Sequence, residues 1–301
     1  MNRKKIYIAG CGGMLGEAFY HCFKQNNKIK CTDIDVNTDW LSYMDFCDTE
    51  NYMLNVKEFA PDFLFHLGAY TDLEFCETHP EETYITNTDS VKNATKIANE
   101  LNIPLLYIST AGIFDGQKEY YSEDDKPNPL GHYAKSKYEA ELFVIKEANK
   151  FLICRAGWMM GGGPEKDKKF INKLINQIIN GAETLYIVND KDGTPTYTHD
   201  FAKNVKLLIK NNHWGLFNMV CGGQTSRLEV AQELIKLLGL TNKISIKEVG
   251  SDYFKHEYFA ARPVSERLVN KRLDSLGLNI MRDWKVALKE YLYKEYLEYV
   301  K

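Results

Sequence analysis

The sequence predicts an α/β protein built on a doubly wound parallel sheet, with a smaller C-terminal α/β domain. Two observations predict it. A short β-type run, Lys5-Ile6-Tyr7-Ile8-Ala9, enters a glycine turn, Gly10-Cys11-Gly12-Gly13-Met14-Leu15-Gly16, and leaves it as a helix with Ala18, Phe19, Cys22 and Phe23 on one side. Apolar runs of strand length then recur between stretches of helical periodicity.

Strand, glycine turn and helix in that order make a Rossmann-type dinucleotide site. Gly10 permits the tight turn, Gly13 lets backbone approach a pyrophosphate, and Gly16 lets helix and strand pack closely, with Met14 and Leu15 between them. The N–H groups opening the helix would face the phosphates. Lys28 to Thr32 reads as the second strand and ends at Asp33, 23 positions after Gly10. A carboxylate there accepts from both ribose hydroxyls and repels a 2′-phosphate, so NADH is favoured over NADPH. Asp35 competes for the role. Asp45 and Phe46 are candidates to touch the adenine, and Asp48 is placed to cap the next helix.

Asp62 to Leu67 is a near-continuous apolar run, as a strand covered on both faces should be. His66 within it reads as a satisfied core histidine. Gly68, Ala69, Tyr70 and Thr71 follow at the strand's carboxyl end, where open α/β sheets bind ligands. Pro80 suits the first turn of a long helix to Glu100, with Asn87 inside it. Pro104 to Ser109 is the next strand, ending at Thr110.

Tyr133 and Lys137 stand four apart, on one face of a helix. With Thr110 they suggest a carbonyl-reduction site. Tyr133 would give a proton to a carbonyl oxygen, Thr110 would bond the same oxygen, and Lys137 would lower the phenol's pKa. The acidic run Glu123-Asp124-Asp125 reads as a solvated turn. Phe151 to Cys154 is a strand, and Gly161-Gly162-Gly163 beside Trp158 suggests a loop able to close over a substrate. Thr198 and Ser226 are expected helix caps. The first 157 residues are expected to hold the dinucleotide, 158–301 mainly the substrate, with 184–220 returning to the first part.

The 301 residues carry 38 basic and 41 acidic side chains, a formal charge of −3, which gives no electrostatic case for nucleic acid or an anionic membrane surface. No apolar run approaches the roughly 20 residues that span a bilayer. The start is too short in its apolar part for a signal peptide. The seven cysteines are scattered without a Cys-x-x-Cys pair, so neither a disulfide framework nor a zinc site is expected. No other metal set is evident, and a reduced, cytoplasmic protein is expected.

Taken in order, the motifs resemble the extended short-chain dehydrogenases, and among them the dTDP-4-dehydrorhamnose reductases. The matching pieces are Gly10-x-x-Gly13-x-x-Gly16, Gly68-Ala69-Tyr70-Thr71, Tyr107-Ile108-Ser109-Thr110, Phe114-Asp115-Gly116 and Pro127-Asn128-Pro129-Leu130. Tyr133-x-Lys135-Ser136-Lys137, Gly193-Thr194-Pro195-Thr196-Tyr197 and Ala261-Arg262-Pro263 complete the set. The resemblance implies an NADH- or NADPH-dependent reductase of a nucleotide-linked 4-keto-6-deoxy sugar. It implies that Thr110, Tyr133 and Lys137 are catalytic, Lys137 holding the nicotinamide ribose. Thr71, Trp158, Thr196 and Arg262 would contact the substrate, and a homodimer is expected. Ala111-Gly112 stands where that family commonly has Asp-Tyr, and Ser109-Thr110-Ala111 is closer to sugar-nucleotide epimerases. An epimerase that recycles its cofactor, or a non-catalytic NAD(P)-binding regulatory subunit, are the alternatives.

Overall fold

The computed structural model describes residues 3–300, the last two by backbone alone. Its strands are β1 (Lys4–Ala9), β2 (Asn27–Asp33), β3 (Leu41–Tyr43), β4 (Phe63–His66), β5 (Leu105–Thr110), β6 (Phe151–Ala156) and β7 (Trp158–Met160). β8 (Thr184–Val188), β9 (Asp192–Gly193), β10 (Pro195–Tyr197), β11 (Gly215–Asn218), β12 (Thr225–Ser226) and β13 (Ser245–Val249) follow. Seven of them form one parallel sheet in the order β11-β6-β5-β4-β1-β2-β3. The winding reverses between β1 and β4, so a crevice opens beyond their carboxyl ends. This is the doubly wound α/β fold read from the sequence.

The helices are α1 (Met14–Phe23), α2 (Thr49–Phe59), α3 (Leu73–Thr78), α4 (Pro80–Tyr84), α5 (Ser90–Glu100) and α6 (His132–Glu147). α7 (Gly163–Lys166), α8 (Phe170–Ile179), α9 (Thr198–Lys210), α10 (Arg227–Leu237), α11 (Lys271–Ser275), α12 (Trp284–Glu295) and α13 (Leu297–Val300) complete them. Strand side chains alternate between two cores, as a sheet covered on both faces requires. Ile6 and Ile8 of β1 join Phe19 of α1 and Phe201 and Val205 of α9 on one face. Tyr7 and Ala9 join Tyr52, Val91, Ala140 and Val144, from α2, α5 and α6, on the other.

Beyond β6 the chain makes short two-stranded pieces: β7 with β10, β9 with β12, and β8 with β13. Of the segment 184–220, only β11 lies in the large sheet; β8 pairs apart from it. Ser226 caps α10 in a reciprocal box with Glu229, and Asp48 caps α2 through the Asn51 N–H. Thr198 makes no cap: it begins α9 with its hydroxyl buried against Gly161. Among the described residues, no helix is long and apolar enough to cross a membrane.

Three other expectations change in the fold. The helix opened by Pro80 reaches Glu100, but through a π-helical turn at Ile85–Asp89. Glu123 is buried, accepting from the N–H groups of Asn218 (3.0 Å) and Arg272 (3.2 Å), while Asp124 and Asp125 pair with Lys271 and Lys118. The run 161–163 is tied down: a Cβ on its glycines would meet Thr198, Met14 and Lys166, or Glu295. Positive φ at all three (+154°, +78° and +63°) together with this close packing accounts for those glycines.

Candidate active site

The floor of the crevice is two glycines in contact. Gly10 has φ +73°, and a Cβ on it would stand 2.2 Å from the Gly68 Cα. A Cβ on Gly16 would stand 1.9 Å from the Cys11 carbonyl oxygen, so helix and turn touch there. Gly13 is different. It opens α1 in extended conformation, and no atom lies within 4 Å of where its Cβ would be. Met14 and Leu15 continue as the first residues of α1, whose leading N–H groups border that open space. Such a cradle fits a pyrophosphate.

Asp33 ends β2 beside this turn. Its Oδ2 accepts from the Gly12 N–H at 2.8 Å and its Oδ1 from the Asp35 N–H at 2.9 Å. Each oxygen keeps a lone pair for a further donor. Asp35 instead accepts from Asn37 at 3.2 Å. Asp45 accepts from the Cys47 N–H at 2.8 Å. The Phe46 ring packs where a side chain on Gly68 would stand, 4.7 Å from the His66 ring. His66 is a satisfied core residue, its nitrogens 3.2 Å from the Tyr52 hydroxyl and 3.1 Å from Ser90 Oγ.

Tyr70, at the end of the Gly68–Tyr70 run, is held against α6 by Asn87. Its Oδ1 accepts from the Tyr70 N–H (2.8 Å), and its Nδ2 donates to the Tyr70 carbonyl (3.0 Å) and to Ser136 Oγ (3.2 Å). The π-helical turn presents this buried Asn87. The start of α6 is fixed by Glu77, whose Oε1 accepts from the His132 N–H at 2.6 Å.

Thr110, Tyr133 and Lys137 come together as read. Thr110 stands beside the Tyr133 phenol as the polar neighbour that works to lower its pKa, while its own Oγ1 accepts from the Gly112 N–H at 3.1 Å. Lys137 is buried one turn on, its Nζ 4.4 Å from the centre of the Tyr107 ring. The Tyr107 hydroxyl donates to the Lys137 carbonyl at 2.9 Å. The electrostatic expectation is corrected. Burial pushes the Tyr133 phenol up to about 12, against the lowering effect of Thr110. Burial also pulls the Lys137 ammonium down to about 7, against the pull of Glu141. Desolvation is the largest cause for both groups, and neither figures among the causes of the other's shift.

The far wall comes from the C-terminal half. Trp158 Nε1 donates to Glu266 Oε2 at 2.7 Å. The Arg227 guanidinium lies 3.7 Å from the Trp158 ring centre and 4.6 Å from that of Phe170. Lys169 donates to the Thr71 carbonyl (2.8 Å) and hydroxyl (2.9 Å), which fixes Thr71 at the cleft edge. Arg262 grips Glu74 with two 2.7 Å bonds. Thr196 is placed elsewhere than expected. It is fully buried, its hydroxyl accepting from the Gly157 N–H at 3.0 Å, so it shapes the wall from behind. Sequence reading missed Arg227, Glu266, Lys169 and the brace made by Asn87. Only Asn87, a polar residue within the long helix opened by Pro80, was singled out in the sequence.

The comparisons with known proteins agree with the fold. The family model described as RmlD substrate binding domain matches residues 4–297. The dTDP-4-dehydrorhamnose reductase of Escherichia coli is 26% identical over 301 residues, covering 95% of this chain and 96% of its own. The methionine adenosyltransferase 2 subunit beta of Danio rerio is 25% identical over 302 residues, covering 96% and 90%. A crystal structure of a dTDP-4-dehydrorhamnose reductase from Clostridium acetobutylicum superposes with a TM-score of 0.88 at 30% identity, covering 96% and 99%.

Proposed function

The chain belongs to the RmlD substrate binding domain family, and on that premise we propose that it is a nicotinamide-dinucleotide-dependent reductase of a nucleotide-linked 4-keto-6-deoxy sugar. One observation carries the reading. The Tyr133 phenol stands beside Thr110, with Lys137 one turn away, at the end of the strand beside the glycine crevice.

The open position at Gly13 and the first turn of α1 would hold the dinucleotide's pyrophosphate, Asp33 its adenosine ribose, and Lys137 its nicotinamide ribose. Asp45, Phe46, Gly68, Ala69 and Tyr70 would line the rest of that cleft. When bound, the reduced dinucleotide supplies a hydride. Tyr133 gives its proton to the ketone oxygen, and Thr110 orients that oxygen through its hydroxyl. A phenol near 12 stays protonated at neutral pH, and the ketone oxygen becomes a stronger base than the phenolate as reduction proceeds. The cations Lys169, Arg227 and Arg262 make a positive rim suited to a sugar's diphosphate. Thr71 and Trp158 would flank the sugar.

Purified protein mixed with dTDP-4-keto-6-deoxyglucose and NADH or NADPH should consume the reduced cofactor. No sugar-dependent loss of absorbance with either cofactor would reject the reading. A non-catalytic regulatory role is opposed by the intact cluster of Thr110, Tyr133 and Lys137, which such a protein has no chemical need to keep.

A further inference from the structure

Glu266 is fixed by its neighbours before its side chain is considered. Its N–H donates to the Asp192 carbonyl (2.8 Å), Ser265 Oγ donates to the Glu119 carbonyl (2.8 Å), and Arg267 pairs with Asp192 (3.0 Å). The backbone therefore delivers the carboxylate to one place. There, Oε2 is occupied by the Trp158 indole. Oε1 lies 3.4 Å from the point where a Cβ on Gly112 would stand, and Thr110 Oγ1 lies 3.5 Å from that same point. Among the described residues, Oε1 accepts no hydrogen bond, and no cation lies within ion-pair distance of the carboxylate. Its charge is felt by Tyr133 on one side and Arg227 on the other.

Oε1 is reached by solvent and not spent on any protein donor, and an ionised carboxylate can only accept, so it is a free acceptor facing whatever enters that space. The space in front of it is left open because residue 112 has no side chain. The donor that belongs there is therefore on the substrate, beside the carbonyl oxygen that Tyr133 and Thr110 receive. Lys169, Arg227 and Arg262 stand around the same wall and disfavour an ammonium, so the donor is a neutral hydroxyl.

We propose that Glu266 selects the sugar: its Oε1 accepts a hydrogen bond from a hydroxyl on the ring carbon next to the reduced carbonyl. This rests on the reductase reading for where the carbonyl sits. A site built to bond a hydroxyl rejects the analogue that lacks it.

The test compares dTDP-4-keto-6-deoxyglucose with its 3-deoxy analogue, by kcat/KM and by calorimetric Kd, in wild type, Glu266→Gln and Glu266→Ala. Wild type should prefer the hydroxylated sugar by about 100-fold or more. Glu266→Ala should bring the ratio below about tenfold by losing only the hydroxylated substrate, with Glu266→Gln between them. If Glu266 merely held Trp158, both substrates would suffer equally and the ratio would stand; that result overturns the proposal, as does a wild type indifferent to the hydroxyl. A wild type that binds with the preference but turns over neither sugar sinks the reductase reading and keeps the role of Glu266. NADH titration of each variant reports that the fold is intact.

Discussion

Arg155 of β6 and Glu141 of α6 close a two-pronged ion pair, with Nε 3.0 Å from Oε2 and Nη2 2.5 Å from Oε1, both side chains almost fully buried. Glu141 is one turn beyond Lys137 and is the group that raises the lysine's proton affinity against burial. The pair thus joins stability to the state of the Lys137 ammonium. Glu141→Gln leaves the guanidinium buried without its counter-charge and should cost about 3–5 kcal/mol in urea unfolding. It should also shift the Lys137-dependent limb of the pH–rate profile to lower pH. An unchanged profile would show that Glu141 does not act on Lys137.

Tyr133→Phe removes the proton donor and keeps the ring. Turnover should fall about 10²- to 10⁴-fold, while NADH binding by fluorescence stays within about twofold of wild type. A variant that retains most of its turnover would move the donor elsewhere.

Burial of Lys137 has a signature in stability. Its affinity for a proton falls from 10.5 to about 7 on folding. Between those values the unfolded chain binds the extra proton, so this residue's contribution is least favourable below about pH 7 and improves as pH rises toward 10.5. Lys137→Met should therefore melt higher than wild type at pH 7, by about 5 °C or more, with the gap narrowing by pH 10. Tyr133 has the opposite consequence: held near 12 instead of 10.0, it withdraws stability as pH climbs through that interval. A pH-independent gap would mean the ammonium is hydrated in the folded protein.

The glycines of the first turn should separate folding from binding. Gly13→Ala points a methyl into open space and should leave the melting temperature within about 2 °C, yet weaken NADH binding at least about tenfold by blocking the approach to backbone. Gly16→Ala meets the Cys11 carbonyl at 1.9 Å and should destabilise the protein outright. Equal loss of stability in both would refute the cradle.

Asp33 should set the cofactor. Wild type should bind NADH more tightly than NADPH, and Asp33→Ser should narrow the ratio at least about tenfold by removing the charge that opposes a 2′-phosphate. Tighter binding of NADPH by wild type would reassign Asp33 to holding the Gly12 N–H alone.

Much of this protein was legible along the chain. The strand–glycine–helix start, the alternation that buries both faces of the sheet, and the Tyr133–Lys137 spacing are local patterns, set by φ/ψ freedom and by helix and strand periods. They determined the doubly wound fold and the place of the proposed Tyr133–Lys137 group. The walls of the site were decided by tertiary structure. Glu266 reaches Trp158 across 108 positions, Arg262 reaches Glu74 across 188, and Asn87 reaches Ser136 across 49. No spacing rule connects such pairs, because only the packed sheet and its crossovers bring them together. The same holds for proton affinities and for Thr196, which a motif puts at the substrate and the fold puts inside. Desolvation belongs to the surroundings of a side chain, and those surroundings exist only once the chain has folded.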